Sequence, residues 1–181
     1  MKRFKQCTIT CLTALIISSA TTPPAMASST PVVASTAMAQ LRMEDKGPDL
    51  SKGFLISESW GTEEDGTPYV ERTYMDYGTA LFSASNVRTL NNTKSYGATG
   101  SVEVSANFKF DSTEKTVYVV SSSGKFNRGG GISETEDLGT TTSGEGTSKA
   151  TAKYSCRVNR NLGGWATYSV SISCNDNGTP G

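Results

Sequence analysis

The sequence contains no histidine, and this absence removes several classes of site at once. A Ser-His-Asp triad and a Cys-His dyad both use an imidazole as the base, so neither can be present. Zinc sites with histidine ligands are excluded for the same reason. Paired carboxylates are therefore the only catalytic apparatus left to this chain.

Cysteine is also scarce, and of the 4 cysteines the first two, Cys7 and Cys11, lie in an N-terminal segment that we expect to be removed. The remaining Cys156 and Cys174 are too few for a four-cysteine zinc site. We favour a disulfide between them over two buried thiols, since an oxidising compartment permits one. A simple hairpin would place Cys156 opposite Tyr168 and Cys174 about 20 Å away, at ~3.3 Å per residue. Because a disulfide needs Cα atoms within ~7 Å, the hairpin and the bridge exclude each other.

No apolar run reaches the ~20 residues that a membrane-spanning helix needs. The densest stretch, residues 12–17, follows a basic start and precedes the small-x-small site Ala25-Met26-Ala27. This order is typical of a secretory signal peptide. We therefore predict a signal peptide over residues 1–27 and an extracellular, secreted mature protein.

The chain also lacks an excess of charge of either sign. Its formal net charge is +0, and loss of the three basic residues of the signal peptide leaves a value near −3. Phosphate binding needs concentrated Lys and Arg, so we do not expect nucleic acid as a partner. We expect no cofactor and no stable membrane span in the mature chain.

What remains falls into two parts of different composition. Residues 28–52 are rich in Ser, Thr, Ala and Pro without a sustained period, which predicts a flexible linker or arm. A short helical turn near residues 38–45 is compatible with that arm. Residues 53–181 are long enough for one domain with a substantial core, and we expect a single all-β domain there.

Alternation of apolar and polar side chains dominates this domain. It is clearest at residues 101–110, 150–158 and 168–174, where the apolar side chains share one face. Successive side chains of a strand point to opposite faces, so each segment is expected to be a half-buried strand. Further strands are predicted at residues 54–60, 69–75, 80–85 and 116–120. The last of these is apolar on both faces, which favours a central strand covered on both sides.

About seven strands with one wet face each favour antiparallel sheets, and two such sheets packed together form a β-sandwich. A β-barrel is the alternative. Residues 121–148 are glycine-rich and long for a loop in a compact domain. They either contain short strands around Lys125-Phe126 and Ile132 or form a mobile functional loop.

Glu58 is the most distinctive carboxylate, because it shares a predicted strand face with Ile56 and Trp60. Desolvation there would raise its pKa and suit an acid role in glycoside hydrolysis, whereas an edge or bulged strand would leave it in water. No second carboxylate is marked by spacing, so we assign no catalytic residue.

Exposed aromatic side chains could form a platform for sugar rings, although aromatic residues in strands usually belong to the core. The candidates are Trp60, Trp165, Tyr69, Tyr74 and Tyr77. Trp165 follows Gly163-Gly164, which favours a place at the rim. Together with Glu58, Trp60 and Trp165 are our candidates for ligand binding.

Three polar segments have a chemical and a conformational interpretation. Oxygen-bearing side chains in 63–65 and 175–177 could hold calcium, but neither segment has calcium-loop spacing and turns use the same residues. Arg128-Gly129-Gly130-Gly131 could cradle an anion with its amides, or be a flexible loop. We favour turns and a loop, and we predict no metal site.

These observations favour a secreted, non-enzymatic binding or interaction module whose partner is an extracellular glycan or protein. One alternative is a carboxylate-dependent enzyme similar to glycoside hydrolases. The other is a secreted bacteriocin-like antagonist, which only the predicted export and the small size favour.

Overall fold

The structure is a computed structural model that describes residues 30–78, 86–161 and 163–181, with side chains from residue 36 onward. The predicted signal peptide, residues 1–27, lies outside the described residues, as does the predicted strand at 80–85. Among the described helices, none is long and apolar enough to cross a membrane.

The described chain is mostly antiparallel β-structure, preceded by a helix. Its helical elements are α1 (Thr30–Glu44) and two 3₁₀ turns (Leu50–Lys52 and Gly97–Thr99). Its strands are β1 (Phe54–Thr62), β2 (Pro68–Met75), β3 (Val87–Ser95), β4 (Gly100–Asp111), β5 (Thr116–Arg128), β6 (Ile132–Ser143), β7 (Lys149–Arg160) and β8 (Gly164–Asn175). Strands β1 to β5 form one sheet in chain order, here called sheet A, and β6 to β8 form sheet B. The two sheets pack face to face, which confirms the predicted β-sandwich.

The core lies between the two sheets and is built from alternate residues of β4, β7 and β8. Its members include Val102, Val104, Ala106, Phe108, Ala150, Ala152, Tyr154, Cys156, Val158, Tyr168, Val170, Ile172 and Cys174. These are the apolar faces that the alternation predicted. Full burial of each larger side chain stabilises the fold by about 1.5–3 kcal/mol. Tyr154 packs so closely on β5 that a Cβ at Gly124 would lie 2.1 Å from its Cγ, which explains the glycine.

Residues 121–148 are not a loop, because most of them belong to the long strands β5 and β6. The alternation is hidden there, since β6 is exposed along most of its length and has polar residues on both faces. The prediction that residues 116–120 form a central strand is wrong, because β5 is the outer strand of sheet A. Tyr118 and Val120 are exposed, and a bulge leaves Val120 without a partner in β4.

The hairpin between β7 and β8 corrects the disulfide prediction. Cys156 pairs with Tyr168, and Cys174 pairs with Ala150, six residues further along β7. That separation corresponds to about 20 Å at ~3.3 Å per residue, so the two sulfurs cannot meet. Both thiols are free and buried, and burial raises the pKa of each to about 11.

The segment predicted as a flexible arm forms a third layer over residues 30–52. Helix α1 packs on β2, and Leu41 is buried with Val70 and Tyr74 on the face of sheet A that points away from sheet B. The predicted helical turn at 38–45 is the end of α1. We refer to Leu41–Lys52 as the docked segment, because it covers this outer face.

Candidate functional site

The structure separates the three residues that the sequence analysis proposed for ligand binding. Glu58 and Trp60 lie together on the outer face of sheet A, where they pair with Arg72 and Val70 of β2. Trp165 lies on the outer face of sheet B, where it pairs with Asn159. The two tryptophans therefore belong to opposite faces of the sandwich.

Glu58 is bound to a buried arginine. The Nε of Arg72 donates to Glu58 Oε2 at 2.7 Å, and its Nη1 donates to Asp45 Oδ1 at 2.8 Å. A second bond joins Nη2 to the other Asp45 oxygen, so Arg72 grips that carboxylate with both arms of its fork. The Arg72 side chain is only 7% exposed, and this ion triad ties the docked segment to β1 and β2.

Of the two interpretations of Glu58, the edge or bulged strand is the one that the structure bears out, because β1 is the outer strand of sheet A, has a bulge between Leu55 and Ser57 and leaves Glu58 exposed. The hydrogen bond from Arg72 lowers the pKa of Glu58 more strongly than desolvation raises it. Arg72 also lowers the pKa of Asp45. Because both groups are held as carboxylates, neither suits the general-acid role in glycoside hydrolysis.

Trp60 belongs to the same structural cluster. Its Nε1 donates to Glu58 Oε1 at 3.1 Å, and the Arg42 guanidinium lies 5.3 Å from the centre of its ring. Nearby, the backbone N–H of Asp49 donates to the Tyr74 hydroxyl at 3.1 Å. These contacts hold the docked segment on sheet A, so Trp60 and Tyr74 have structural roles.

Trp165 occupies a different environment. Its side chain is 42% exposed, and the Arg157 guanidinium lies 5.1 Å from the centre of its ring. No helix or strand of the described chain packs on this face of sheet B. The face carries a hydroxyl-rich array at Thr141, Ser143, Thr151, Ser155, Thr167, Ser169, Ser171 and Ser173.

A groove of about 420 Å³ opens beside this tryptophan, and we call it the Trp165 groove. One wall is the turn between β1 and β2, with Glu63, Glu64 and Asp65. The other is the end of β7 and the start of β8, lined by Arg160, Trp165, Ala166, Thr167, Tyr168 and Ser169. The groove thus combines an exposed aromatic ring with carboxylates and a guanidinium.

Two buried polar atoms of the groove-lining residues have no hydrogen-bond partner. They are Nε of Arg160 and the hydroxyl of Tyr168. The Nη1 atom of Arg160 has partners, since it lies 3.1 Å from Asp65 Oδ2 and donates to Thr67 Oγ1 at 3.2 Å. Both atoms are enclosed within the molecule and do not face a ligand in the groove, and Thr67 and Arg160 are near enough to the Tyr168 hydroxyl to oppose the effect of burial on its pKa. Burial raises the pKa of Tyr168, which keeps its hydroxyl protonated as a donor.

The carboxylates of this turn differ in how they are held. Glu63 accepts from the Tyr96 hydroxyl at 2.7 Å and pairs with Lys94 at 2.8 Å. Burial opposes ionisation of Asp65, yet its bonds to Thr67 and Arg160 lower its pKa. Glu64 is exposed. Nothing in the sequence pattern marked Lys94 and Tyr96, because strand β3, which ends at Ser95, was not predicted.

The remaining candidates serve the fold. Tyr74 is buried, Lys94 covers Tyr69 at 3.8 Å, and Tyr77 packs against Phe54 at 4.4 Å. None of these three tyrosines joins Trp165 in a platform.

The polar segments also have conformational roles. Gly129 and Gly130 donate their N–H groups to carbonyls of the preceding 3₁₀ turn, so these amides do not cradle an anion. Segments 63–65 and 175–177 lie in tight turns, as their backbone hydrogen bonds indicate. Within the described ranges, no group of three or more acids or cysteines is arranged to hold a metal ion.

Comparison with protein-family models, with curated proteins and with solved structures found no match to this chain. The assignment of a role therefore depends on the geometry of the Trp165 groove and of the face beside it.

Proposed function

We propose that this protein is a secreted, non-enzymatic binding module that takes a carbohydrate chain in the Trp165 groove. The main support for this proposal is an exposed tryptophan at the mouth of a polar groove, next to a sheet face that no described element covers. Export rests on the signal peptide predicted for residues 1–27.

The residue types around Trp165 match the two requirements of a sugar ligand. A sugar ring offers an apolar face that stacks on an indole, and its hydroxyls need donors and acceptors around the rim. Glu64 and Asp65 supply acceptors, while Arg160 and the Ser169 hydroxyl supply donors along the groove. Hydrogen bonds to these groups would add to the stacking contact.

The β7–β8 face extends this site for a longer chain. Thr167 and Ser169 continue from Trp165 along β8, with Arg157 and Ser155 beside them on β7. Alternate residues of a strand lie about 6.6 Å apart, at ~3.3 Å per residue. A row of hydroxyls at this spacing suits successive hydrogen bonds to a linear polymer better than contacts to a small, enclosed ligand.

The carboxylates of the groove favour binding over catalysis. Glycoside hydrolysis needs one carboxyl group with a raised pKa that donates a proton. Asp65 has a lowered pKa, and Glu63 is engaged by Lys94 and Tyr96. This arrangement suits fixed acceptors for sugar hydroxyls.

A glycan array with the mature protein tests the proposal, and Trp60→Ala provides a matched control. We expect Trp165→Ala to weaken binding at least tenfold, because a central aromatic anchor commonly contributes ~2 kcal/mol or more. Trp60→Ala removes the same side chain from the opposite face, so binding by its folded form should be unchanged. Absence of any bound glycan, or equal loss in both variants with folding intact, would overturn the proposal.

A further inference from the structure

A second groove follows from the unequal width of the two sheets. Sheet A has five strands and sheet B has three, and β8 is an outer strand of sheet B that packs over β3 and β4. The inner faces of β1 and β2 therefore extend past β8. The resulting groove of about 480 Å³, which we call the β8 edge groove, is lined among others by Glu71, Thr73, Asn92, Ser171, Ser173 and Gly181.

The wall of this groove is a strand edge that the C-terminal residues already use in part. Gly181 N–H donates to Ser173 O at 3.0 Å, and Asn175 N–H donates to Thr179 O at 2.9 Å. Cys174 and Pro180 form an antiparallel bridge. The edge thus accepts an antiparallel partner near its end, and in the described chain no strand continues that pairing past Ser173.

Ser169 and Ser171 have the same edge-facing backbone. Residues of one parity along an outer strand direct both N–H and C=O away from the paired neighbour. Ser171 shows this directly, because its carbonyl accepts from Asn92 Nδ2 at 2.7 Å. The N–H groups of Ser169 and Ser171 therefore point away from β7, and of the two residues Ser171 lines the β8 edge groove while Ser169 lines the Trp165 groove.

A buried, incompletely satisfied side chain lies at the junction of the two sheets. Asn92 is only 4% exposed, and its Nδ2 donates to Glu71 at 2.6 Å as well as to Ser171. Its Oδ1 has no hydrogen-bond partner. This oxygen is enclosed, so the part of Asn92 that bears on the edge is its Nδ2, which holds the Ser171 carbonyl.

The charge of the groove lining indicates which side chains a bound peptide should carry. Glu71 is the one charged side chain among the described residues that line this groove. Lys94 lies opposite Glu71 in the register of β2 and β3, but its ammonium pairs with Glu63. A basic side chain of a ligand therefore complements Glu71.

We infer that the edge of β8 at Ser169 and Ser171 accepts an extended, basic peptide segment of another protein as a fourth strand of sheet B. Backbone hydrogen bonds to the edge supply affinity, as in β-strand addition generally, and alternate side chains of the peptide face Glu71 and Thr73. Ser169 also lines the Trp165 groove, but the carbohydrate proposal depends on the Trp165 ring and the peptide proposal on the backbone edge of β8, so the two can fail independently.

Selection of random octapeptides on the mature protein tests the inference. We expect enriched sequences to carry Lys or Arg at alternate positions, and the selected peptide to slow amide exchange at Ser169 and Ser171. Ser171→Pro removes one edge-facing N–H and is expected to weaken peptide binding at least tenfold. Trp165→Ala should bind the peptide normally.

A backbone-modified peptide keeps the test independent of how Ser171→Pro folds. Peptides methylated at a single backbone nitrogen should lose binding when the methyl group is at one of every two positions and keep it at the positions between. The reason is that only every second N–H of an added strand faces β8. Failure to enrich any octapeptide would overturn the inference. So would protection at the edge of β1 or β6 instead of β8, or methylation effects without a period of two.

Discussion

Each outer face of the sandwich carries one tryptophan beside a guanidinium, Trp60 with Arg42 on sheet A and Trp165 with Arg157 on sheet B. The local motifs are nearly the same, but their surroundings differ. Trp60 bonds to Glu58 at the margin of a buried ion triad, whereas Trp165 borders an open groove. The difference shows that an aromatic–arginine pair takes its role from what covers the face, and not from its own residue types.

The covering layer depends on a few anchors. Leu41 fills the apolar contact with Val70 and Tyr74, and Asp45 brings a carboxylate to Arg72. Removing these charges from water is costly, so the triad is stable only while all three partners remain together. Sheet B has no such layer in the described structure, and its outward hydroxyls remain in contact with water.

The largest expected difference between the two faces is in how much their arginines, Arg72 and Arg157, contribute to the free energy of unfolding. We expect Arg72→Ala to lower the free energy of unfolding by about 3 kcal/mol, because it leaves the Asp45 carboxylate without its buried partner. Arg157→Ala should change this free energy by at most about 0.5 kcal/mol, since the Arg157 side chain is 45% exposed and its bond to Glu136 lies at the surface. Urea titration of both variants measures the difference. Equal losses would show that the docked segment does not distinguish the two faces.

As pH falls, the docked segment should detach from sheet A at a higher pH than the one at which the surroundings of Trp165 change. Arg72 holds the pKa values of Asp45 and Glu58 below their ordinary 3.8 and 4.5 in the folded protein. The unfolded state therefore binds more protons as pH falls, so this stabilisation is complete at neutral pH, begins to decline below about pH 4.5 and is lost as pH falls through the lowered pKa values of the folded protein.

Two single-tryptophan variants follow this release. Emission from Trp60 in Trp165→Phe should change at higher pH than emission from Trp165 in Trp60→Phe, because the docked segment lies over Trp60 alone. A Trp165 transition that came first, or one that coincided with the Trp60 transition, would contradict the role of the triad.

Much of the sandwich could be predicted from sequence, because its central strands alternate strongly. Strands β4, β7 and β8 place valines, alanines and aromatics on one face and serines or lysines on the other. Strand β3 has one strongly apolar residue, Leu90, on its inner face, and β6 has hydroxyls and acids on both faces. A period-two pattern is not visible where neither side of a strand is continuously apolar.

The candidate sites could be predicted only as residue types. Trp165, Glu58 and the acids of segment 63–65 stood out in the sequence, but nothing local showed which of them would be covered. That outcome depends on Asp45 meeting Arg72 from 27 residues away in the chain. The unpartnered atoms of Tyr168 and Asn92 follow from how the two sheets are aligned, which residue patterns do not encode.

Acrylamide quenching of the two single-tryptophan variants at neutral pH tests the central contrast most directly. If the docked segment covers sheet A and leaves the Trp165 groove open, Trp165 is quenched more steeply than Trp60, and truncation of Arg72 steepens the quenching of Trp60 alone. Equal quenching of the two indoles, or steeper quenching of Trp60 in the intact protein, would contradict the account.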